Sequence, residues 1–440
     1  MMPLDDLLIF WWDGAGVYVL ERWRDLGLVG FIMLSLPMLL LDAPRALVAS
    51  VVLLVLRAIG RPRSDLGLKS AFLATRPRVS VVVAAYNEVA SITSTIDSLL
   101  EQRWPGLQIV VVDDSSSDGT YARARPYADR GEIVLVRNSS ASGRGGKPAA
   151  INLGLRFATG DFLVLIDADS SFDRDLLVHL IGPFHDPQVG AVAGNVKVRN
   201  PRASLWTMMQ AIEYLLVIGL NKRWLDLLRM NYLASGACGA YRRTALAPFM
   251  GCDVETAEDL DNSLKVRRNG WLLRFAPRAV CMTDVPENLP QLARQRVRWD
   301  RDLVRVALRK HALALDPRHS GWGLALELNF QLFCAVVLTY LYVFYVILLA
   351  VTDPPLLLLM LAVSWVLCLM LTTVSFVAAV ALGERRREEA WYALALPLYP
   401  FYTDVVGRWV RTWANTIELL RFDQEDAYLP QSAWRNSPRW

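Results

Sequence analysis

The sequence predicts an α/β domain built on a parallel sheet, with α-helical transmembrane segments on either side of it. Between residues 77 and 310, short β-branched runs alternate with amphipathic helical segments, which is the pattern of a sheet covered by helices. The chain of 440 residues is 54% hydrophobic, which is more than a soluble domain normally carries. Because the excess lies mostly outside that block, the sequence predicts a separate membrane region.

Three apolar stretches make up the predicted membrane region: Leu28 to Leu56, Leu324 to Val351 and Leu356 to Leu382. The last two are each long enough to cross a bilayer core of about 30 Å. Asp42-Ala43-Pro44-Arg45 divides the first stretch, and an Asp cap followed by Pro starts a helix well. This stretch is therefore either one kinked span or a hairpin of two short helices. Residues 1–15 contain no basic residue, so a signal peptide is not expected.

Within the α/β block, the first strand is predicted at Val79 to Ala85 and the first amphipathic helix at Ala90 to Gln102. Three further runs of β-branched and aliphatic residues are predicted as strands, at Ile109 to Val112, Ile133 to Val136 and Phe162 to Ile166. Strands that alternate with helices in this way predict a parallel sheet.

The distribution of Lys and Arg predicts the orientation of the membrane segments. Basic residues follow the first apolar stretch, precede the second and follow the third, whereas the turn at residues 352–355 has none. Since short cytoplasmic loops carry the excess of Lys and Arg, the α/β block is predicted in the cytoplasm of a multi-pass inner (plasma) membrane protein. Trp206 to Arg229 and Trp391 to Trp409 are expected to be interfacial, and the count is three to five membrane segments.

Four regions are predicted along the chain. They are an N-terminal membrane region at 1–64, the α/β domain with its interfacial helices at 65–310, C-terminal transmembrane and interfacial helices at 311–421, and a polar tail at 422–440.

Charge and cysteine content exclude several kinds of site. The chain has 47 basic and 43 acidic residues, a net charge of +4, and no run of Lys and Arg that is typical of a nucleic-acid-binding arm. Nucleic acid is therefore not an expected partner. The five cysteines are odd in number and lack C-x-x-C spacing, so neither a disulfide framework nor a zinc site is expected.

Two acidic motifs follow predicted strands. Asp113-Asp114 follows the second strand, and Asp167-Ala168-Asp169 follows the fourth. Because the carboxyl ends of parallel strands meet at one edge, where α/β sheets bind ligands, these carboxylates should lie together. A divalent ion that also carries phosphates would offset their repulsion. Taken alone, the segment from Asp113 to Thr120 is more typical of a polar turn between a strand and a helix, and the companion motifs are what favour a ligand site.

Two further motifs are Glu258-Asp259 and Gln295-Arg296-Val297-Arg298-Trp299. Taken alone, the acidic pair is as typical of the start of a helix, where carboxylates are favoured, as of a functional site. In the second motif arginines alternate with apolar residues, which is typical of an amphipathic helix on a membrane surface. The second motif is therefore expected on a helix that lies at the membrane surface.

Together these motifs resemble the family 2 glycosyltransferases of the membrane-embedded polysaccharide synthase type, which include cellulose, hyaluronan, chitin and poly-N-acetylglucosamine synthases. The likeness covers residues 77–310. It is greatest to the bacterial poly-N-acetylglucosamine synthases, through Gly190 to Asn195, Ser235 to Leu246 and Pro286 to Leu289. The resemblance implies a GT-A fold, which is a Rossmann-like α/β domain.

The resemblance also implies a role for each motif. Binding of a UDP-sugar is implied for Tyr86, Glu88, Asp113, Asp114, Lys147, Asp167, Gln295 and Arg298. Catalysis is implied for Asp259 as the general base, together with Glu258 and Arg298. Acceptor binding is implied for Trp299, Cys238, Gly239 and Asp259. The metal cofactor, Mg²⁺ or Mn²⁺, is implied at Asp167 and Asp169.

The function that this resemblance implies is an inverting transfer of a sugar onto a growing β-linked glycan, which the enzyme then translocates. Two alternatives stay open: a non-processive enzyme that glycosylates a lipid, and an inactive nucleotide-sugar-binding transporter or scaffold subunit. Ala257 stands where many relatives have Thr, and Asp300-Arg301-Asp302 stands where small residues are common. The partners implied are the UDP-sugar, the glycan acceptor and the lipid bilayer. An accessory export or regulatory protein is a further partner that the resemblance allows.

Overall fold

The computed structural model describes residues 42–60, 66–138, 145–249, 251–254 and 256–420, with a few isolated positions before residue 42. The expectations about residues 1–15, about the apolar residues before 42 and about the polar tail lie outside the described residues. A helix begins at Asp42, where the Asp-Ala-Pro motif predicts one. The division of the chain into four regions stays a prediction.

Eight strands of the described chain form one sheet. They are β1 Val79–Ala85, β2 Gln108–Asp113, β3 Val134–Arg137, β4 Phe162–Asp167, β5 Ser170–Phe172, β6 Val189–Val198, β7 Gly239–Arg242 and β8 Leu272–Thr283. Their order is β3-β2-β1-β4-β7-β6-β8-β5. The four strands predicted from the sequence, β1 to β4, are parallel to one another.

The predicted parallel sheet is confirmed for these four strands, but the whole sheet is mixed. Strand β7 runs antiparallel to both of its neighbours, β4 and β6, and β5 runs antiparallel to β8. These two strands have four and three residues, which is too short for an alternating pattern to reveal them. The sheet is therefore mixed, with a parallel half and a half in which strand direction changes.

Between Asp42 and Leu303 the described chain contains eleven α-helices. They are α1 Asp42–Ile59, α2 Leu66–Ala74, α3 Ile92–Leu100, α4 Thr120–Asp129, α5 Lys147–Phe157, α6 Leu176–Ile181, α7 Leu205–Tyr214, α8 Lys222–Leu227, α9 Arg243–Leu246, α10 Glu258–Arg268 and α11 Leu289–Leu303. The first predicted amphipathic helix is α3. The predicted interfacial segment at 206–229 corresponds to α7 and α8, which a π-helical stretch at Leu215–Asn221 joins.

The parallel half of the sheet is covered on both faces, which explains why its strands are continuous apolar runs in the sequence. Val81, Val82 and Val83 of β1 are fully buried. Helix α5 packs closely on β1, because a Cβ at Gly154 would lie 2.4 Å from Cγ1 of Val82. This close approach fixes the position of the first residue of α5, Lys147, relative to the sheet.

The C-terminal region follows α11 through a π-helical stretch at Val304–Lys310. Its helices are α12 Pro317–Ser320, α13 Trp322–Leu332, α14 Leu338–Thr352, α15 Pro354–Leu382, α16 Arg386–Ala390, α17 Tyr399–Phe401 and α18 Arg408–Leu419. The predicted interfacial segment at 391–409 is a succession of short 3₁₀, α and π turns that leads into α18. Helix α18 packs against α11 and joins this region to the α/β domain.

Two helices in the described part of the chain are long and apolar enough to cross a membrane: Trp322–Thr352, which contains α13 and α14, and Pro354–Leu382. Their bounds agree with the two predicted spans to within two residues. In the most apolar 18-residue window of each helix, 33% and 17% of the residues are buried within the protein. A core helix of a soluble protein is mostly buried, whereas these two helices expose apolar surface.

Candidate active site

The two acidic motifs that follow β2 and β4 meet at one edge of the sheet. In the strand register, Ala85 at the end of β1 lies opposite Asp113 of β2, and Ala84 lies opposite Asp167 of β4. Both carboxylates therefore lie at the carboxyl ends of three adjacent parallel strands, where α/β sheets bind ligands. The prediction that these motifs lie together is confirmed.

The two carboxylates of the first motif have different surroundings. Asp113 is 1% exposed and neither of its oxygens accepts a hydrogen bond, although Arg137 Nε lies 3.5 Å away. Asp114 instead accepts hydrogen bonds from the backbone N–H groups of Gly145 and Gly146, at 3.0 and 2.8 Å. Since a buried acceptor without a donor is costly, Asp113 has capacity left for a ligand. Asp114 holds the loop that leads into α5.

Tyr86 and Glu88 lie on the loop that follows β1. Tyr86 is 36% exposed. Asn87, between them, has a φ of +56°, a left-handed conformation that asparagine tolerates. The backbone N–H of Glu88 donates to Thr120 Oγ1 at 2.8 Å, which holds the loop against the start of α4. Burial raises the pKa of Glu88, and the negative charge of Asp167 adds to this.

Lys147 connects the sheet edge to the second acidic pair. Its Nζ lies 2.6 Å from Asp167 Oδ1 and 2.7 Å from Glu258 Oε1. Although burial alone would lower it, the surrounding carboxylates hold the pKa of Lys147 well above its ordinary value. A Cβ at Gly236 would lie 2.8 Å from Lys147 Nζ and 3.5 Å from Asp259 Oδ2, so a side chain there would displace the Lys147 ammonium. The structure thus brings Lys147, Asp167, Glu258 and Asp259 together around Gly236.

Asp259 lies in the first turn of α10, where backbone groups hold its carboxylate. Oδ2 accepts the N–H of Gly236 at 2.9 Å and Oδ1 accepts the N–H of Leu260 at 2.8 Å. Burial raises the pKa of Asp259, and the charge of Glu258 raises it further, which increases its ability to take a proton. Ala257 has a φ of +57°, a strained conformation of the kind that persists where surrounding structure holds functional residues in place.

Asp167 and Asp169 present two carboxylates at the sheet edge. Burial, the charge of Asp167 and the charge of Glu88 raise the pKa of Asp169 to about 6. Among the residues that the structure describes, no group of three or more His, Cys, Asp and Glu side chains forms a metal site. Two carboxylates that leave the other positions to water and phosphate oxygens suit Mg²⁺ and Mn²⁺, so the chemistry of this pair fits such an ion.

Asp302, on α11, is a candidate site residue that the sequence motifs did not identify. It is buried and accepts a hydrogen bond from Thr256 Oγ1. Because Thr256 directly precedes the strained Ala257, this bond ties α11 to the turn that carries Asp259. The only feature of the sequence that could have indicated Asp302 is its position in a run of charged residues just after Trp299.

We expect Asp302→Asn to remove a pH dependence of stability. Burial raises the pKa of Asp302 to about 7, so the folded state binds a proton more tightly than the unfolded chain does. The stabilisation is present below the ordinary aspartate pKa and is lost as the pH rises through about 7. Thermal unfolding in detergent between about pH 5 and about pH 8 should show the wild-type Tm falling relative to that of the variant. The same pH dependence in both proteins would contradict this.

The motif that ends in Trp299 lies on α11. Oε1 of Gln295 is buried and has no hydrogen-bond partner, and Arg298 is half-buried. Trp299 is 39% exposed, and the guanidinium carbon of Arg296 lies 4.4 Å from the centroid of its ring. Arg296 is itself paired with Glu213 of α7 at 2.6 Å. Trp299 is therefore supported by a fixed cation and retains exposed surface for a ligand.

Cys238 and Gly239, which were predicted to bind the acceptor, do not present side chains to the site. Cys238 is fully buried and packs so closely on Gly194 that no Cβ fits there. The Cys238 side chain therefore faces the interior, and Gly239 begins β7; that this segment forms a wall beside the acceptor stays a prediction. Lys222, which no sequence motif identified, contacts the segment that leads into Cys238. Its Nζ donates to Ser235 Oγ at 2.9 Å, and burial lowers its pKa to about 8.

The sequence is similar to known glycosyltransferases. The family model described as "Glycosyltransferase like family 2" matches residues 77–301. Poly-beta-1,6-N-acetyl-D-glucosamine synthases of Staphylococcus aureus and Staphylococcus epidermidis are 31% identical over 233 residues, which is 52% of this chain and 56% of each relative. The match therefore spans little more than half the length of these curated relatives.

A solved structure agrees with the fold. The mannosyltransferase PcManGT from Pyrobaculum calidifontis, in complex with GDP-Man and Mn²⁺, has a TM-score of 0.54 and 22% sequence identity, and the match covers 86% of this chain and 100% of that chain. This likeness supports a GT-A-like mixed sheet. Since the family model matches half of the chain, the protein belongs to the family 2 glycosyltransferases.

Proposed function

We propose that the protein is a membrane-embedded synthase that transfers a sugar from a UDP-sugar to a growing β-linked polysaccharide and passes the polymer through its own helices. As a family 2 member it is a nucleotide-sugar-dependent glycosyltransferase. Its similarity to poly-beta-1,6-N-acetyl-D-glucosamine synthases supports a polysaccharide product. The observation that carries the proposal is the convergence of Lys147, Asp167, Glu258 and Asp259 around Gly236.

The UDP-sugar is proposed to lie along the carboxyl edge of the sheet. The oxygens of Asp113, which accept no hydrogen bond within the protein, would accept hydrogen bonds from the uridine or ribose, and the exposed ring of Tyr86 would lie against the base. The ammonium group of Lys147 would move from Asp167 to the diphosphate, whose negative charge would replace that of the carboxylate. Arg298 would stabilise the charge that develops on the departing diphosphate.

Asp167 and Asp169 are proposed to hold Mg²⁺ or Mn²⁺. When bound, the ion would neutralise charge on the diphosphate and so make it a better leaving group. At the sheet edge the ion would lie beside Lys147. It would be on the same side of Glu258 and Asp259 as the UDP-sugar.

Sugar transfer is proposed to be a single displacement. The acceptor hydroxyl oxygen bonds to the anomeric carbon as the bond from that carbon to the diphosphate breaks, and UDP leaves with the electron pair. Asp259 takes the hydroxyl proton, which its raised pKa favours. Glu258 holds the ammonium of Lys147 in place. One displacement inverts the anomeric carbon, so an α-linked donor gives a β-linked product.

The membrane location rests on the two long apolar helices. In Trp322–Thr352 and Pro354–Leu382 only 33% and 17% of the residues in the apolar stretch are buried, which suits helices that span a bilayer. Helix α11 precedes them in the chain and carries Trp299. The growing glycan would stack on that indole as it leaves the acceptor site and enters the membrane portion.

The test of this function is the product made by membranes that contain the protein. Labelled UDP-sugar is supplied, and the product is divided into polymer and organic-extractable glycolipid. We expect label in a polymer that glycan hydrolases degrade. Label only in a monoglycosyl lipid would overturn polymer synthesis and leave sugar transfer standing, whereas no label in either fraction would overturn both.

Trp299→Ala is expected to shorten the polymer more than it slows UDP release. Aromatic stacking contributes about 0.5–1.5 kcal/mol beyond burial, so the glycan should be retained about two- to twelvefold less well. Size-exclusion chromatography of the labelled product measures its length. Trp322→Ala is the matched control, because Trp322 is 71% exposed at the start of α13. Products of equal length from the two variants would contradict the role of Trp299.

A further inference from the structure

A buried lysine near the proposed base Asp259 has no role in the proposed sugar transfer. Lys222 is the first residue of α8 and is 8% exposed. Its Nζ donates to Ser235 Oγ at 2.9 Å, and no carboxylate among the described residues forms an ion pair with it. Because a buried cation without a paired anion is costly, Lys222 is a candidate for a functional role.

The three residues from Ala234 to Gly236 hold Asp259 in place. The N–H of Gly236 donates to Asp259 Oδ2 at 2.9 Å. At the other end, the N–H of Ala234 donates to Ser263 Oγ at 2.9 Å, and the Ser263 hydroxyl donates to the backbone carbonyl of Asp259 at 2.6 Å. The side chain of Lys222 binds the residue between these two contacts, so it fixes the middle of the segment that holds the carboxylate.

Lys222 also places a titratable charge near Asp259. Burial lowers the pKa of Lys222 to about 8, and the negative charge of Asp259 opposes this effect. Among the described residues, Asp259 and Cys238 are the groups whose charges act on Lys222. The pKa of Lys147, the other lysine close to Gly236, lies well above its ordinary value. As the pH rises, Lys222 is therefore the first of these two lysines to lose its proton.

We propose that Lys222 is a positioning residue for the base: its protonated ammonium holds Ser235 and so keeps the Asp259 carboxylate directed at the acceptor hydroxyl. A lysine ammonium can only donate hydrogen bonds, so Ser235 Oγ accepts. Once the ammonium loses its proton, this bond loses its charge and can reverse its direction, and the rate of transfer falls. The inference rests on the proposed role of Asp259 in sugar transfer.

The pH dependence of kcat for UDP release, measured with Mg²⁺ between about pH 7 and about pH 9.5, tests this role. We expect the wild-type kcat to fall as the pH rises through about 8. Lys222→Arg keeps its charge over this range, so its kcat should stay constant. Ser235→Ala removes the hydrogen-bond acceptor of the ammonium and should move the fall to a lower pH. A fall at the same pH in all three proteins, or in none, would overturn the proposal.

Stability should change in the opposite direction, which separates positioning of the base from maintenance of the fold. The folded protein binds the Lys222 proton less tightly than the unfolded chain does, so stability rises between a pH of about 8 and the ordinary lysine pKa of 10.5. In detergent, the wild-type Tm should therefore rise over this range relative to that of Lys222→Met, while the wild-type kcat falls. A relative Tm that falls in parallel with kcat would show that Lys222 only maintains the fold.

Lys222→Met should lower kcat about tenfold at about pH 7, because a hydrogen bond from a charged group is lost. The KM for the UDP-sugar should not change, since the hydrogen bond of the Lys222 side chain is to Ser235 and not to the sheet edge. Arg125→Met is the matched control. Arg125 lies on α4 with its side chain 69% exposed, and loss of its charge should leave kcat and KM at the wild-type values.

The outcome for Lys222 is distinguishable from the outcome for the base. If Asp259→Asn abolishes UDP release while Lys222→Met keeps the wild-type kcat at every pH, the positioning role is wrong and the base stands. If Asp259→Asn releases UDP at the wild-type rate, both proposals fail.

Discussion

Asp259→Asn is expected to lower the rate of UDP release about 10²- to 10⁴-fold, the range for the loss of a general base. Asparagine keeps the size of the side chain, and its carbonyl oxygen can still accept the N–H of Gly236 or Leu260. The fold and donor binding should therefore be retained. The amide cannot take the acceptor proton, so the loss should appear in kcat. A coupled assay of UDP release with Mn²⁺ present measures it.

A matched surface variant controls for this experiment. Glu132 pairs with Arg130 at an exposed site, where its side chain is 36% accessible, and Glu132→Gln should turn over like the wild type. Wild-type turnover that disappears in Asp259→Asn would exclude an inactive scaffold. Equal UDP release by wild type and Asp259→Asn would show that another group is the base.

Glu418→Gln is expected to destabilise the folded protein by about 3–5 kcal/mol, the usual cost of removing one partner from a buried ion pair. Glu418 of α18 is 4% exposed. Its carboxylate lies 3.1 Å from Arg301, 3.0 Å from Arg305 and 2.7 Å from Arg309. These arginines are spaced four residues apart along continuous helix, so they line one face. Without the carboxylate, three cations with little access to water would repel one another.

Glu418→Gln should also disturb the candidate active site, because the helix that carries these arginines also carries Trp299 and Asp302. We expect turnover to fall together with the temperature of thermal unfolding in detergent. In Glu132→Gln an exposed ion pair is lost, which costs at most about 1 kcal/mol. If Glu418→Gln unfolds at the wild-type temperature and turns over at the wild-type rate, the contact between α18 and α11 has no part in positioning the site.

The parallel half of the sheet could be predicted from the sequence because its signals are local. The strands β1, β2 and β4 are buried on both faces, so each is a continuous apolar run. The last residues of β2 and β4 are the sheet-edge carboxylates Asp113 and Asp167. The two apolar helices were predictable for the same reason. Length and composition alone determine whether a helix can cross a bilayer.

The remaining features depend on contacts between distant parts of the chain. The residues of β7, Gly-Ala-Tyr-Arg, have no alternating pattern, and their direction depends on pairing with β4 and β6. Asp302 lies 46 residues from its partner Thr256, and Glu418 lies 117 residues from Arg301. The burial of Cys238 likewise follows from its packing on Gly194. No local sequence pattern records such pairings, so only the folded structure reveals them.

The most direct test of sugar transfer is nucleotide release by the purified wild-type protein, supplied with a panel of UDP- and GDP-sugars and Mn²⁺, before and after chelation by EDTA. We expect the protein to release UDP from a UDP-sugar and to incorporate an equal amount of that sugar into polymer. EDTA should abolish this release, and Mn²⁺ or Mg²⁺ should restore it. Folded protein that releases no nucleotide from any donor, or releases it without incorporating sugar, would contradict the proposed function.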